Sequence, residues 1–346
     1  MATVKEILDV IRDNASDLYI ERVPEYTSEN LLQIGDAITS EKNVMNEFID
    51  SLVNKVMESN IKSRLYKNPL AKLKGKGIPM GSTIEEIFVN PAVDSGFSSD
   101  GNLLLKQVTP DTKVAYYSMN RKGEYQASFS KPALLLAFNS EENFMSFYNG
   151  IVTSVYSGDE IDEFILTKNV IGKTIDNGGI QIVNATVDEP RVLAKAIGKM
   201  SKAMLFPSKN LCGYNLVNKD SIESGKETEC ITFTPQDAQC IIMTADAQTE
   251  IDYEYLANVY NIEVATLKAM TILVDEIPSD NYNIHAVLCD VDCIQMRDNY
   301  YAVENFYNPS NSTDKIFLHH WETLYFSMFG NAVAFGTKKS VEESAE

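Results

Sequence analysis

The chain has 346 residues, a mass of 38.6 kDa and a formal net charge of −19, from 30 lysines and arginines against 49 aspartates and glutamates. Hydrophobic residues make up 44% of the sequence and charged residues 23%, which is typical of globular proteins and excludes a disordered or collagen-like chain. Because affinity for nucleic acid comes mainly from lysine and arginine displacing counterions, this acidic balance argues against a sequence-specific DNA reader.

The cysteines and the N-terminus indicate where the protein is made. The five cysteines include no CxxC pair, so zinc-ribbon spacing is absent and free thiols in a reducing compartment are expected. The N-terminal segment is charged throughout and lacks the apolar core of a signal peptide. No apolar run approaches the ~18–20 residues that cross a bilayer. We expect a soluble protein made in the cytoplasm, with no membrane partner.

Residues 1–76 divide into a helical part and a basic part. Residues 1–66 are polar with a helical pattern, and Ser40–Glu58 places apolar residues on one helical face. Residues 62–76 hold six basic and no acidic residues, a local reversal in an acidic chain. This basic stretch is predicted either to contact an acidic neighbour, a scaffold or phosphate, or to be a solvated linker.

Residues 77–131 contain strand-like runs punctuated by glycine and proline. Strands are predicted at Ile84–Val89, Lys113–Met119 and Glu124–Phe129, with residues 120–123 as a turn because Asn and Gly supply turn dihedrals. A segment with long strands and almost no helix is hard to place inside a compact core. We therefore interpret it as an excursion that packs on something else.

The strongest helix prediction covers residues 140–175. Ser140 is a good N-cap, Glu141 and Glu142 complement the helix dipole, and the Asn-Gly-Gly of residues 177–179 ends the helix. The other predicted elements are a strand at 180–187, a helix at Arg191–Phe206, a strand at Cys240–Thr244, a helix beginning at Thr249, strands at Met270–Val274 and Ala286–Met296, and a strand-rich apolar run at 316–335.

The sequence contains no motif for a catalytic, cofactor or metal site. P-loop, dinucleotide-binding, HExxH and GxSxG patterns are absent. His319 and His320 are adjacent in a strand-like run and point to opposite faces, so they cannot chelate one ion together. His285, Cys289 and Cys293 are too far apart along a strand for proton transfer and are predicted to be core residues. We expect no catalytic residue, no cofactor and no metal.

Short motifs between about residue 45 and residue 337 carry a family resemblance. In chain order they are Asn68–Lys74 (NPLAKLK), Ile78–Gly81 (IPMG), Thr83–Ile87 (TIEEI), Asn120–Tyr125 (NRxGxY), Asp252–Asn261 (DxxxLAxxYN), Asp298-Asn299, Asn308-Pro309, His320–Leu324 (HWxTL) and Phe329–Phe335 (FxNAVAF). Together they resemble major capsid proteins of small short-tailed phages, the podoviruses of the Picovirinae type.

The resemblance implies an α+β chain with the Hong Kong 97-type capsid fold. In that fold the chain would have an N-terminal arm (1–66), an extended β-hairpin loop (67–131), a peripheral domain with a long spine helix (132–190), an axial domain (191–309), and peripheral return strands with a C-terminal tail (310–346). The excursion would then be a strap over the adjacent subunit.

The implied function is that of the major capsid protein of the virion. The chain would assemble as pentamers and hexamers into an icosahedral shell around packaged double-stranded DNA, without sequence-specific DNA binding. The implied partners are other copies of the chain, a scaffolding protein and a portal or connector. Two alternatives stay open, an encapsulin-like nanocompartment shell of the same fold and a soluble cytoplasmic enzyme with a cysteine or acidic site.

Subunit contacts are expected from the basic stretch and from the extended loop. In the basic stretch the candidates are Lys62, Arg64, Lys67, Lys72, Lys74 and Lys76. In the loop and its returning strand they are Glu85, Glu86, Phe97, Leu104, Arg121 and Lys122.

Overall fold

The structure is a computed structural model that describes residues 3–52, 66–94, 109–258, 270–310 and 313–339. The chain divides into two compact units, and each is described by itself. Unit 1 comprises Met1–Asn68, Asn120–Glu163 and Asp298–Glu322, and unit 2 comprises Pro69–Met119, Phe164–Arg297 and Thr323–Glu346. The segment 67–131, which the sequence analysis treats as one loop, is thus shared between the units.

Unit 1 begins with short helices that pack into a core. They are α1 (Val4–Asp13), α2 (Asp17–Arg22), α3 (Leu31–Ser40), α4 (Lys42–Ser51) and, later in the chain, α5 (Lys131–Ala137). Thr3 and Glu6 form a capping box at α1, and Ser16 caps α2. The helical pattern predicted for residues 1–66 is observed in four short helices, and their apolar side chains, including Ile7, Ile38 and Phe48, are fully buried together.

A three-stranded sheet completes unit 1, in the order β3-β9-β8. Strand β3 (Arg121–Ser130) pairs antiparallel with β9 (Thr313–Phe326), and β8 spans Ile294–Asn308. The predicted turn at 120–123 is wrong, since β3 already begins at Arg121, opposite Glu322. The strands before and after it belong to different sheets.

The long helix is confirmed within one residue at each end. Helix α6 spans Glu141–Asp176 and continues without interruption through Gly158. After its last turn, Gly178 adopts a φ of +75° and its N–H donates to the Ile175 carbonyl at 3.0 Å.

Unit 2 is built on a five-stranded sheet in the order β4-β10-β7-β5-β6. Its strands are β4 (Gln181–Asn184), β5 (Gln239–Thr244), β6 (Met270–Val274), β7 (Tyr282–Asp290) and β10 (Ala332–Lys338), and its further helices are α7 (Pro190–Ala203), α8 (Gly213–Val217), α9 (Lys219–Glu223) and α10 (Ala245–Asn258). Every residue of β5 is buried, as expected for a central strand covered on both faces.

Two features of unit 2 were only partly predicted from the sequence. The predicted strand Ala286–Met296 is interrupted by a 3-10 turn at Val291–Cys293, where the Asp290 carboxylate accepts from the Asp292 N–H. A separate antiparallel hairpin is formed by β1 (Ile84–Val89), as predicted, and β2 (Thr112–Tyr117).

Among the described residues, no helix combines the length and apolar character that a membrane crossing requires.

Candidate assembly surface

The hairpin of β1 and β2 has two chemically different faces. Ile84 pairs with Tyr117 and Val89 with Thr112, and burial alternates along both strands. Since successive side chains point to opposite sides of a strand, this register defines an inner and an outer face. The inner face carries Ile84, Glu86, Phe88, Lys113, Ala115 and Tyr117, and the outer face carries Glu85, Ile87, Val89, Thr112, Val114 and Tyr116.

The inner face packs on other residues of unit 2. Phe88 stacks on Phe329 with ring centroids 5.6 Å apart, and Tyr117 stacks on Tyr325 at 3.7 Å. Glu86 accepts a hydrogen bond from the Ser327 hydroxyl at 2.6 Å. Burial raises the pKa of Glu86, although its hydrogen bonds partly offset this. This side of the hairpin is therefore already covered within the subunit.

A polar network holds the hairpin at the end where β1 leads into the connection to β2. The Asn90 amide donates to Asp111 at 2.6 Å and to the Glu229 carbonyl at 2.9 Å, and its oxygen accepts from the Ile231 N–H at 3.0 Å. Lys113 forms an ion pair of 2.8 Å with Glu227. Hydrogen bonds from Thr228 and Asn90 lower the pKa of Asp111. Residues 227–231 therefore hold the hairpin through these bonds, and we call this segment the seat of the hairpin.

The outer face is apolar and exposed. Ile87 and Val114 lie directly opposite each other and are 59% and 44% exposed, while Val89 and Tyr116 are 55% and 67% exposed. A two-stranded hairpin is marginal in water, and a continuous exposed apolar patch on a folded element marks an interaction surface. In the described part of the subunit this face is left open, which makes it the candidate assembly surface.

Unit 1 contains a buried ionic cluster, which we call the Arg121 cluster. It consists of Arg121, Asp159, His320 and Glu322, with Asp298 at its edge. The Arg121 guanidinium pairs with Asp159 at 2.7 Å and with Glu322, its directly opposite residue on β9. Helix α6 therefore holds strand β3 through charge-assisted hydrogen bonds, which are the strong ones.

His320 is the second cation of the Arg121 cluster. Its Nδ1 lies 2.7 Å from Asp159, and its Nε2 lies 2.9 Å from Asp298 and 3.0 Å from Glu322. Burial alone lowers the pKa of His320, but the hydrogen bonds to these three carboxylates outweigh it and raise the pKa to about 11. The ring is an imidazolium at neutral pH, with both N–H groups donating to carboxylates.

The same place holds the one grouping among the described residues with metal-ligand spacing. Ligand atoms of Glu163, His320 and Glu322 all lie within 4.8 Å of one another. A metal needs the neutral imidazole, whereas both nitrogens of His320 face carboxylates and its pKa is high. This geometry fits a protonated histidine that stabilises the fold.

Comparison with known proteins identifies the family. Residues 8–336 match the family model of the Phi29-like phage major capsid protein. The chain belongs to this family. It is 28% identical to the major capsid protein of Bacillus phage B103 over 97% of the chain and 73% of that protein, and 24% identical to that of Streptococcus phage Cp-1 over 94% and 92%.

Solved structures from two phages have the same fold. The capsid structure of Staphylococcus phage Andhra matches with a TM-score of 0.61 at 12% identity, over 79% of this chain and 85% of that chain. A chain from the structure of the head fiber and inner core protein gp22 of native bacteriophage P68 matches with the same TM-score, identity and coverage. The expected Hong Kong 97-type α+β fold is confirmed.

The structure describes part of the basic stretch. Lys67 is exposed in unit 1, while Lys72 and Lys76 are exposed in unit 2, around the 3-10 turn Pro69–Leu73. Lys74 is half-buried and forms a parallel bridge with Met296. Lys62 and Arg64 lie outside the described residues.

The loop candidates fall into different environments. Glu85 is exposed on the outer face and accepts from the Tyr116 hydroxyl at 3.1 Å, whereas Glu86 points inward to Ser327. Lys122 is exposed, with its Nζ 5.3 Å from the centre of the Trp321 ring. Phe97 and Leu104 lie outside the described residues.

The interior position of Arg121 changes its predicted role. It was expected to contact a neighbour, but it is only 6% exposed and its guanidinium is held by Asp159 and Glu322 of the same chain. Its role is to fasten strand β3 inside the subunit. We therefore exclude it from the proposed interface.

Sequence reasoning missed the outer face itself and the Arg121 cluster. The alternation of Ile87 and Val89 with inward-facing residues was visible, but a strand pattern does not say which apolar face the rest of the chain covers. His320 and Glu322 are two apart in an apolar strand, so they share a face. Two ionisable groups on one buried face predict an internal ion network, and that signal was present in the sequence.

Proposed function

We propose that this chain builds an icosahedral phage shell from pentamers and hexamers, enclosing double-stranded DNA, and that the outer face of the hairpin is a contact between subunits. Membership of the capsid protein family supports the shell, and the exposed apolar outer face supports the contact. Burying apolar surface contributes about 25 cal/mol per Å², so covering four partly exposed side chains in every subunit favours assembly.

The acidic composition fits this function. A shell that surrounds packaged DNA must not bind it tightly, and a net charge of −19 weakens the counterion-release term that drives DNA binding. The nanocompartment and enzyme alternatives are not favoured, since the family and the curated relatives are phage capsid proteins.

The experiment compares particle formation by the full chain and by outer-face variants, co-expressed with the neighbouring head genes. The double variant Ile87→Asp/Val114→Asp places two charges on the outer face and should abolish particles in electron micrographs. The matched control is Leu136→Asp on helix α5, which is 62% exposed in unit 1 and outside the proposed contact. Normal shells from the double variant would refute the proposed contact.

The exposed lysines of the basic stretch are proposed to pair with acidic surface on a neighbouring copy or on a scaffolding protein. A portal or connector is the further partner expected for a shell that takes up DNA, with the chain made in the host cytoplasm. Replacing Lys72, Lys74 and Lys76 by alanine should lower the assembly yield, measured by sedimentation. Since such contacts are screened by ions, raising the salt concentration should reproduce the loss in the wild-type chain.

A further inference from the structure

Two cysteine thiols lie in contact beneath the hairpin. Cys212 and Cys230 are both fully buried in unit 2, where the Cys212 thiol donates to the Met328 carbonyl at 3.3 Å and the Asn215 N–H donates to the Cys212 carbonyl at 3.1 Å. With Phe329 they form a small cluster separate from the main core of the five-stranded sheet. Neither residue belongs to a regular strand, and neither is explained by the packing of that sheet.

Backbone contacts hold both cysteines in place. Asn215 accepts from the Cys230 N–H at 2.8 Å and donates to the Cys230 carbonyl at 2.7 Å, which clamps the peptide on both sides. Cys212 forms an isolated antiparallel bridge with Asn331 and precedes helix α8. These backbone contacts therefore fix the positions of the two cysteines.

The two thiols are chemically unequal. The hydrogen bond from Cys230 lowers the pKa of Cys212, and although burial opposes this, the N–H groups of Tyr214 and Asn215 lower it further. The hydrogen bond to Cys212, together with burial, raises the pKa of Cys230. We take Cys212 as the attacking residue, because its pKa is lowered and the thiolate is the reactive form of a cysteine.

The inner face of the hairpin covers this pair. Phe88 and Ala115 pack against the cluster of Cys212, Cys230 and Phe329, and the Phe88 ring stacks on that of Phe329. While the hairpin is seated, a dissolved reagent cannot reach sulfur atoms that are fully buried. Access requires the hairpin to lift by local opening, which is expected at the least buried elements first.

We propose that Cys212 and Cys230 form a redox-active pair that closes into a disulfide by exchange with a small disulfide when the hairpin lifts. The Cys212 thiolate attacks one sulfur of the small disulfide, forming a mixed disulfide and releasing one thiolate. Cys230 then loses its proton and attacks the Cys212 sulfur, and the second thiolate leaves. Two protein thiols are oxidised by two electrons, and one small disulfide is reduced to two small thiols.

The disulfide would close a loop that contains the seat of the hairpin. Residues 213–229 lie between the two cysteines, and they include Glu227 and Thr228, which bond to Lys113 and Asp111. Closing this loop restricts the unfolded chain and should raise the melting temperature of the oxidised protein. The inference does not depend on shell formation, since the free subunit contains every group involved.

The first test incubates the purified full chain with oxidised glutathione and maps disulfides by peptide mass spectrometry. A disulfide joining Cys212 to Cys230 is expected, with Cys289 and Cys293 remaining free because they are buried in the main core of unit 2, which the hairpin does not cover. In Cys230→Ser, the mixed disulfide of Cys212 with glutathione should accumulate, since the resolving thiol is gone. Absence of both products, or equal oxidation of all five cysteines, would overturn the proposal.

The second test addresses the covering role of the hairpin. Phe88→Ala removes the inner-face ring over the pair, whereas Ile87→Ala changes its neighbour on the outer face and serves as the matched control. Alkylation of Cys212 should become about tenfold faster in Phe88→Ala and stay unchanged in Ile87→Ala, because local opening controls access. Cys240, opposite Cys289 in the five-stranded sheet, reports global unfolding. No acceleration at Cys212, or alkylation of Cys212 no faster than that of Cys240, would contradict the covering role.

Discussion

The hairpin and the Arg121 cluster differ in how they are completed. Every charged group that holds Arg121 comes from the same subunit, and the cluster lies in the interior of unit 1. The hairpin has one face packed on unit 2 and one apolar face open to solvent. One region thus stabilises the isolated chain, while the other leaves apolar surface uncovered in it.

This difference suggests a division of labour within a capsid subunit. A shell protein must be folded before it assembles, so the strands around β3 depend on internal ion pairs. The proposed contact surface must remain available until a neighbour arrives, and the exposed apolar side chains of the hairpin, a marginally stable element, meet that requirement. Substitutions in the two regions should therefore affect different measurements.

The largest effect on the isolated chain is expected from the Arg121 cluster. Arg121→Ala leaves Asp159 and Glu322 as buried charges without their guanidinium, and breaking such a pair costs about 3–5 kcal/mol. Urea unfolding of the free subunit measures this. The neighbouring control Lys122→Ala, on the exposed side of the same strand, should change the free energy of unfolding by about 0.5 kcal/mol or less. Equal losses of the free energy of unfolding in both variants would show that the Arg121 cluster does not stabilise the isolated chain.

The pH dependence of the free energy of unfolding tests the contribution of His320 to the Arg121 cluster. Because the pKa of His320 is raised from 6.5 to about 11, its contribution is complete below pH 6.5 and is lost as the pH rises toward 11. Between these values the free energy of unfolding should fall by about 1.4 kcal/mol per pH unit relative to His320→Gln. Measuring both proteins between pH 7 and pH 10 cancels the titration of other groups. Parallel curves would show that His320 is not held as an imidazolium.

A smaller effect is expected at the inner face of the hairpin. Phe88 is half-buried against Phe329, so Phe88→Ala should lower the free energy of unfolding of the free subunit by about 2 kcal/mol. The outer-face variant Ile87→Ala should stay within about 0.5 kcal/mol of the wild type. Thermal unfolding of the two variants side by side measures the difference. A larger loss for Ile87→Ala would mean that the faces are assigned the wrong way round.

The smallest effect on the free subunit is expected at Val114. Val114→Thr keeps the shape of an exposed side chain and replaces a methyl group by a hydroxyl, so subunit stability should change by no more than about 0.5 kcal/mol. The yield of shells should nevertheless fall, because the hydroxyl is buried when a neighbour covers the face. Sedimentation of the assembly mixture measures the yield. An unchanged yield would place Val114 outside the contact.

Local patterns in the sequence predicted several elements well. The N-cap Ser140 and the acidic first turn located helix α6, and alternating or β-branched residues located β1 and β6 with the observed bounds. These elements are specified by residues close together in the chain. The fold as a whole was predicted from the family resemblance, which rests on a series of short motifs along the chain.

The errors arose where distant residues decide the structure. Residues 120–123 have turn chemistry, yet β3 begins at Arg121 because its partners are Asp159 and Glu322, far away in sequence. The polar helices at the N-terminus form a core only because they pack on one another. Likewise, the outer face of the hairpin was not predictable, since a strand pattern cannot show which side the rest of the chain covers.

The most direct test of the account is oxidative footprinting of Tyr116 in free subunits and in assembled shells. In the free subunit the ring is 67% exposed on the outer face and should react readily. Strong protection of Tyr116 in shells, together with unchanged reactivity of the exposed Phe206, is the result that the account predicts. Equal reactivity of Tyr116 in both states would contradict the claim that a neighbouring subunit covers the hairpin.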